Sequence, residues 1–126
     1  MPRFLSVADV LQLHDDTILT EGGAIGLRDL ALLDSAVAMP MQQIGSGYLH
    51  DDLAAQAAAY LFHIAKNHAF VDGNKRTAVL SALVFLRANS VERLPDPTAL
   101  ESITLGVVEN AVSKEQLTDW FREHTD

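Results

Sequence analysis

The sequence predicts an all-α protein, a compact bundle of about six helices in a single domain that spans residues 1–126. Apolar residues recur at helical spacing along the chain, and no segment alternates convincingly between apolar and polar positions. Signals for helix starts and stops occur throughout, and there is no repeat or linker. With 126 residues, 48% of them apolar, the chain is long enough for one hydrophobic core but not for two.

The first half of the chain contains signals for two helices and a connecting segment. Ser6 followed by Asp9 predicts a helix start, and the pair at 22–23 (Gly-Gly) ends that helix. A second helix is expected over about 27–38, because Pro40 prevents its continuation. Residues 40–50 (PMQQIGSGYLH) are expected to form a loop or a short hairpin.

The second half contains stronger helix signals. Asp51-Asp52 starts a long helix that runs to about Asn67, and another helix is expected from about Asn74 to Ala88. Asp96 followed by Pro97 starts a further helix, and the capping box of Ser113 and Gln116 starts the last one. Residues 53–65 and 77–86 are apolar almost all round, which is typical of central, buried helices. The polar loop that joins them is therefore expected near the middle of the domain.

Composition and charge exclude several function classes. The net charge of −8 argues against direct nucleic-acid binding, since contact with a phosphate backbone requires a basic face. No apolar run reaches the roughly 18 residues of a membrane helix, and the first residues lack the apolar stretch of a secretory signal. Because the chain also contains no cysteine, we expect a cytoplasmic protein.

The loop between the two apolar helices contains residue types that suit a phosphate. Polar groups beside a core are costly unless each has a partner, and so dense a cluster indicates a ligand. His68 can take a proton near neutral pH, and Asp72 can hold a magnesium ion. Phe70 would anchor the loop in the core. The residues expected at the phosphates are Gly73, Lys75 and Arg76, at the start of a helix.

Each of these residues also has a structural interpretation. Taken alone, Asp72 is better explained as the N-cap of the following helix, and His68 as a helix-terminal or hydrogen-bonded residue. Asn74 could satisfy backbone groups, and Lys75 could be solvated. The combination favours a ligand site. It is not a Walker loop, and His63 and His68 cannot form a two-histidine metal site, since five positions are about 140° around a helix.

The segment from His68 to Arg76, HAFVDGNKR, resembles the Fic/Doc motif H-x-F-x-[DE]-[AG]-N-[GK]-R at all seven of its defined positions. Lys75 stands where most Fic proteins have Gly, which is similar to the Doc (death-on-curing) branch. Residues 13–15 (LHD), the Gly pair at 22–23 and Asn89 are also Doc-like. The resemblance therefore spans nearly the whole chain.

The resemblance implies a Fic-type helical fold and the toxin half of a toxin–antitoxin module, partnered by a Phd-type antitoxin whose C-terminal segment wraps the toxin. It also implies an enzyme that uses ATP and Mg²⁺. Doc proteins resemble kinases that phosphorylate a threonine of elongation factor Tu and stop translation, whereas most other Fic proteins transfer AMP. A kinase is our first expectation, with an AMP transferase or a degenerate, binding-only Fic fold as alternatives.

The resemblance also implies a role for each residue of the motif. His68 would be the general base on the target hydroxyl, Asp72 would bind magnesium, and Asn74 would shape the loop and the phosphate site. Lys75 and Arg76 would bind phosphates. Residues 40–50 would correspond to the flap that positions the target.

The chain departs from the family pattern at two positions. Ala69 replaces the usual Pro, a position at which Doc also varies. Leu80 stands where Fic enzymes have a second phosphate-binding Arg and Doc a polar Asn, which predicts weaker phosphate binding. Arg28 is a candidate substitute for that missing contact, although a solvated residue at a helix start is the interpretation we favour.

A second short pattern needs an interpretation. Thr17-x-x-x-Glu21-Gly22 matches the [ST]-x-x-x-E-[GN] pattern of Fic self-inhibitory helices. We expect the match to be accidental, because Gly22 and Gly23 form a helix stop and Doc-like proteins are held off by a separate antitoxin.

Overall fold

Six α-helices account for most of residues 1–125, the part of the chain that the computed structural model describes. In chain order the elements are α1 (Val7–Glu21), α2 (Leu30–Ala38), β1 (Gln43–Ile44), β2 (Gly47–Tyr48), α3 (Leu53–Asn67), α4 (Asn74–Ala88), α5 (Pro97–Val108) and α6 (Lys114–His124). The prediction of an all-α bundle of about six helices is therefore confirmed. No helix among these residues is both long enough and apolar enough to span a bilayer.

Side-chain caps determine where most of the helices begin. Each capping side chain accepts a hydrogen bond from an otherwise unpaired N–H group of the first turn, an interaction that contributes about 1 kcal/mol. The capping residues are Ser6 for α1, Asp52 for α3, Asp96 for α5 and Ser113 for α6, with reciprocal capping boxes at Ser6 and Ser113. These four starts agree with those predicted.

The start of α2 was predicted three residues too early. Asp29 caps this helix by accepting from the N–H of Leu32 at 3.1 Å. The residues before it are extended, because Leu27 pairs in antiparallel fashion with Phe70 and the N–H of Arg28 donates to the carbonyl of Ala69. Hydrogen bonds to a distant segment therefore replace the first turn of the expected helix.

The segment between α2 and α3 contains the short hairpin that the sequence allowed. A 3-10 turn over Met39–Met41 leads into β1, which pairs with β2 in the register Gln43↔Tyr48 and Ile44↔Gly47. Most of the hairpin is exposed to solvent.

Helix α3 lies at the centre of the bundle, where it packs against α4, α6, α2 and α5. Its small side chains allow this close packing: the alanines at 54, 55, 57, 58 and 59 are all buried. Helix α4 packs along α3 and also contacts α1 and α5. The prediction that these two helices are central is confirmed, and the loop at 68–73 that joins them lies beside the C-terminal end of α1 and the side of α5.

Candidate active site

The loop between α3 and α4 begins with an unusual backbone conformation at His68. This residue is the C-cap of α3, with φ 54° and ψ 47°, a left-handed conformation that costs a residue with a Cβ about 1–2 kcal/mol. Its carbonyl oxygen accepts hydrogen bonds from two guanidinium nitrogens of Arg28, with Nε at 3.0 Å. The turn leaves the His68 side chain exposed and lining a cavity.

Asn74 holds the loop closed through its side-chain amide. Its Oδ1 accepts from the N–H of Phe70 at 3.0 Å, and its Nδ2 donates to the carbonyl of Phe70 at 2.9 Å. These two contacts orient the amide, so that Nδ2 also faces Nδ1 of His68 at 3.3 Å. Because an amide nitrogen donates, Nδ1 of His68 is the acceptor in this contact.

Phe70 anchors the loop in the core, and His14 packs on it. Phe70 is 1% exposed, and its ring stacks on the His14 ring with centroids 3.8 Å apart and planes 6° from parallel. Nε2 of the buried His14 donates to the carbonyl of Asp72 at 2.8 Å. His14 thereby ties α1 to the loop. Sequence reasoning noted it only as part of a Doc-like segment; a histidine on the buried face of a helix was the available signal.

The Asp72 carboxylate accepts two backbone hydrogen bonds. One oxygen accepts from the N–H of Ala24 at 3.2 Å and the other from the N–H of Gly73 at 2.9 Å. A Cβ at Gly23, where φ is +120°, would lie 2.8 Å from Oδ2 of Asp72, so glycine is needed for this approach. Asp72 is not the N-cap of α4, and the structural interpretation that we favoured for this residue taken alone is wrong.

Gly73 is the N-cap residue of α4 and provides no side-chain cap. Its φ of 78° suits glycine, and a Cβ there would meet Ile18 at 3.3 Å and His14 at 3.6 Å. The first turn of α4 therefore directs N–H groups and the positive end of the helix dipole outward, which is the usual geometry for binding a phosphate.

The two cations of the motif differ in their contacts. Lys75 is exposed and lines the cavity. Nη1 of Arg76 pairs with Glu21 at 3.2 Å and with Glu101 at 2.8 Å, and all three side chains are between 42% and 48% exposed. Exposed pairs of this kind contribute at most about 1 kcal/mol, so a polyanionic phosphate can displace the carboxylates.

A cavity of about 490 Å³ brings these groups together. Helix α1 contributes Thr17 and Glu21 to its wall, and α5 contributes Thr104 and Leu105. The predicted site residues that line it are His68, Asp72, Gly73, Asn74, Lys75 and Arg76. Phe70 lies in the core beneath. A proton acceptor, a carboxylate, two cations and a helix N-terminus thus face one space.

A second polar cluster lies where α6 meets α3. Nζ of Lys114 is 3.0 Å from Nε2 of His63 and 3.2 Å from Nε2 of His50. Burial, and then the neighbouring Lys114, lowers the pKa of His63 to about 4, and the same two causes lower the pKa of His50. His63 and His68 thus have different partners.

Comparisons with known proteins identify the family. The Fic/DOC family model matches residues 4–86 of the chain. The chain belongs to the Fic/Doc family. It is 32% identical over 120 residues to the protein kinase doc of Escherichia phage P1, an alignment that covers 95% of this chain and 94% of that protein. It is 41% identical over 96 residues to the toxin Doc of Mycolicibacterium smegmatis, covering 76% and 72%.

The structure bears on both departures from the Fic/Doc pattern. Ala69 is buried, and its carbonyl accepts from the N–H groups of Arg28 and Asp29. Leu80 is half-buried, and it is not among the residues that line the cavity. Arg28 is outside the lining, so it is not a substitute phosphate contact there; it is exposed just before α2, as the favoured interpretation has it, and its side chain also binds the His68 carbonyl.

The segment that resembles a Fic self-inhibitory pattern contacts the motif. Gly22 is the C-cap of α1, as the helix-stop interpretation requires. Glu21 nevertheless reaches Arg76, a contact that sequence reasoning did not predict. The ion pair is exposed, and Glu101 shares the same guanidinium.

Proposed function

We propose that this chain is a Doc-like toxin that transfers the γ-phosphate of ATP to a hydroxyl, with a threonine expected, of a translation factor such as elongation factor Tu. One observation carries the proposal. Six of the seven defined positions of the Fic/Doc motif, Lys75 among them, line one cavity, with the two cations of the motif at a helix N-terminus. The similarity to a protein named as a kinase favours phosphate transfer over AMP transfer.

In the proposed reaction, His68 takes the proton of the target hydroxyl. The hydroxyl oxygen forms a bond to the γ-phosphorus, the bond between that phosphorus and the β–γ bridging oxygen breaks, and ADP leaves. Nδ2 of Asn74 lies at a long 3.3 Å from Nδ1 of His68. Since this contact is weak, the Nδ1 lone pair can exchange it for the proton of the hydroxyl.

Asp72 fits the role of a magnesium ligand. Mg²⁺ keeps several waters and binds through one or two carboxylates together with substrate phosphates, so one carboxylate on the cavity wall is sufficient. Among residues 1–125, each Asp72 oxygen accepts one N–H group and retains further lone pairs. The bound ion would neutralise charge on the β- and γ-phosphates.

Lys75 decides which phosphate we expect to move. A glycine there would let the backbone approach the pyrophosphate closely, whereas the lysine fills that space and adds a cation. The nucleotide is therefore expected to bind in another pose, with the γ-phosphate toward His68. Phosphoryl transfer requires mainly positioning and charge neutralisation, which Lys75 and Arg76 can supply.

The proposal includes the protein's partners and location. A Phd-type antitoxin would bind and inhibit the toxin, and the expected target requires a cytoplasmic location. With a net charge of −8, direct nucleic-acid binding is not part of the proposal.

The test is the position of the label. Purified protein, Mg²⁺ and elongation factor Tu are incubated with ATP labelled at the γ- or the α-phosphate, and the target is analysed by mass spectrometry. Label from γ-labelled ATP alone supports the kinase. Label from α-labelled ATP means AMP transfer and contradicts the argument from Lys75. Nucleotide binding without transfer to any hydroxyl of the target would favour a degenerate, binding-only fold.

A further inference from the structure

Arg28 joins the segment before α2 to the start of the candidate active-site loop. Its Nε and Nη2 both donate to the carbonyl of His68, forty positions away in the chain. Its own N–H donates to the carbonyl of Ala69 at 2.7 Å, and the N–H of Asp29 donates to the same oxygen at 3.0 Å. The side chain and the backbone N–H of Arg28 therefore donate to two consecutive carbonyls, those of His68 and Ala69.

The backbone of His68, whose carbonyl Arg28 binds, requires stabilisation by its surroundings. His68 has a left-handed backbone, which persists only where the surrounding structure stabilises it. Its carbonyl also belongs to the C-terminal end of α3, where oxygens lack partners within the helix and the helix dipole is negative. A guanidinium that donates twice to this oxygen satisfies it and compensates the dipole.

We infer that Arg28 is a positioning residue for the reaction proposed above: by holding the His68 carbonyl, it sets the direction from which the imidazole enters the cavity. The inference rests on the proposed role of His68 as the base. Arg28 does not line the cavity, so it acts through His68 rather than on the phosphates. A displacement of about 1 Å in a catalytic group can reduce a rate about 100-fold, which makes such a contact significant.

The first test separates kcat from KM in three variants. Arg28→Ala should lower kcat at least tenfold and leave the KM for ATP within twofold, because the base is misplaced while the phosphate site is intact. Arg28→Lys should recover part of kcat, since an ammonium can donate to the same carbonyl. Arg87→Ala is the matched control: Arg87 is exposed in the last turn of α4, about 16 Å along the helix from Arg76.

Two kinetic results would overturn the inference. One is a kcat for Arg28→Ala within twofold of the wild type. The other is a rise in the KM for ATP that accounts for the whole loss, because that indicates a phosphate contact.

A second readout does not depend on the proposed function. In NMR spectra, Arg28→Ala should shift the ring resonances of His68. It should also speed amide exchange at Val71 at least tenfold, because the N–H of Val71 donates to the carbonyl of Gly26, two positions before Arg28. Arg87→Ala should change neither. If the wild type transfers no label at all, the proposed function fails and this readout alone decides: unchanged spectra for Arg28→Ala would refute the positioning role.

Discussion

His68 is the residue on which the proposed chemistry depends, and its position allows its substitution with little effect on the fold. The side chain is exposed, so its removal leaves no cavity in the core. The backbone is left-handed, which asparagine tolerates better than most residues. A variant can therefore remove the proton acceptor without disturbing the turn.

We expect His68→Asn and His68→Ala to lower the rate of label transfer at least 100-fold and to abolish growth inhibition. The free energy of unfolding, measured in urea, should change by less than about 1 kcal/mol for His68→Asn, and somewhat more for His68→Ala because of the left-handed backbone. Toxicity of either variant at matched expression would mean that His68 is not the base.

Asp72 gives the second prediction at this scale. Asp72→Ala should weaken Mg²⁺-dependent ATP binding at least tenfold in calorimetry, because the carboxylate proposed to hold the ion is lost. Loss of its hydrogen bonds to Ala24 and Gly73 should reduce stability by only about 1 kcal/mol. A stability loss of that size with unchanged nucleotide affinity would assign Asp72 a purely structural role.

Glu21 tests whether the contact with Arg76 inhibits the enzyme. The ion pair is exposed and Glu101 would still hold the guanidinium, so Glu21→Gln should raise the initial rate by less than about fivefold without antitoxin. That limit corresponds to the roughly 1 kcal/mol of a surface pair. A rise of tenfold or more would show that the resemblance to a self-inhibitory pattern is not accidental.

At the scale of elements, short-range signals located the helices well and failed where a distant segment intervened. The capping residues act within three positions of themselves, and those starts were predicted. The start of α2 was misplaced because residues 27–29 bond to the loop after α3. A local signal for the true start was nevertheless present, since Asp29 is the N-cap of α2 and bonds three positions ahead to Leu32.

The packing of α6 on α3 should make stability depend on pH. Unfolded His63 takes a proton near pH 6.5, whereas the folded residue, buried beside Lys114, takes it only near pH 4. Below pH 6.5 the unfolded state therefore binds more protons, and stability should fall as the pH is lowered toward 4. We expect a loss of about 1 to 2 kcal/mol, less than the full shift because the imidazole is only partly buried.

Urea unfolding at pH 7 and pH 4.5 measures this effect. His63→Gln should flatten the dependence relative to the wild type, while the contribution of the carboxylates stays common to both. Identical pH dependence in the two proteins would mean that the contact of His63 with Lys114 does not affect the equilibrium.

At the scale of the whole molecule, the central place of α3 and α4 explains where the candidate site lies. Both helices are buried along most of their length, so the loop between them meets the end of α1 and the side of α5. A site at this junction takes its motif from one segment and its walls from others. Glu101 therefore enters the site without any local signature.

The sequence by itself determined the helical class, most helix starts and the contiguous motif from His68 to Arg76, because caps, periodicity and motif spacing are properties of neighbours along the chain. Only the tertiary structure decided that Asp72 is not a cap, that Gly23 admits its carboxylate, and that Arg28 holds His68. Those contacts join segments tens of residues apart. Their partners are chosen by how the helices pack, which no local pattern encodes.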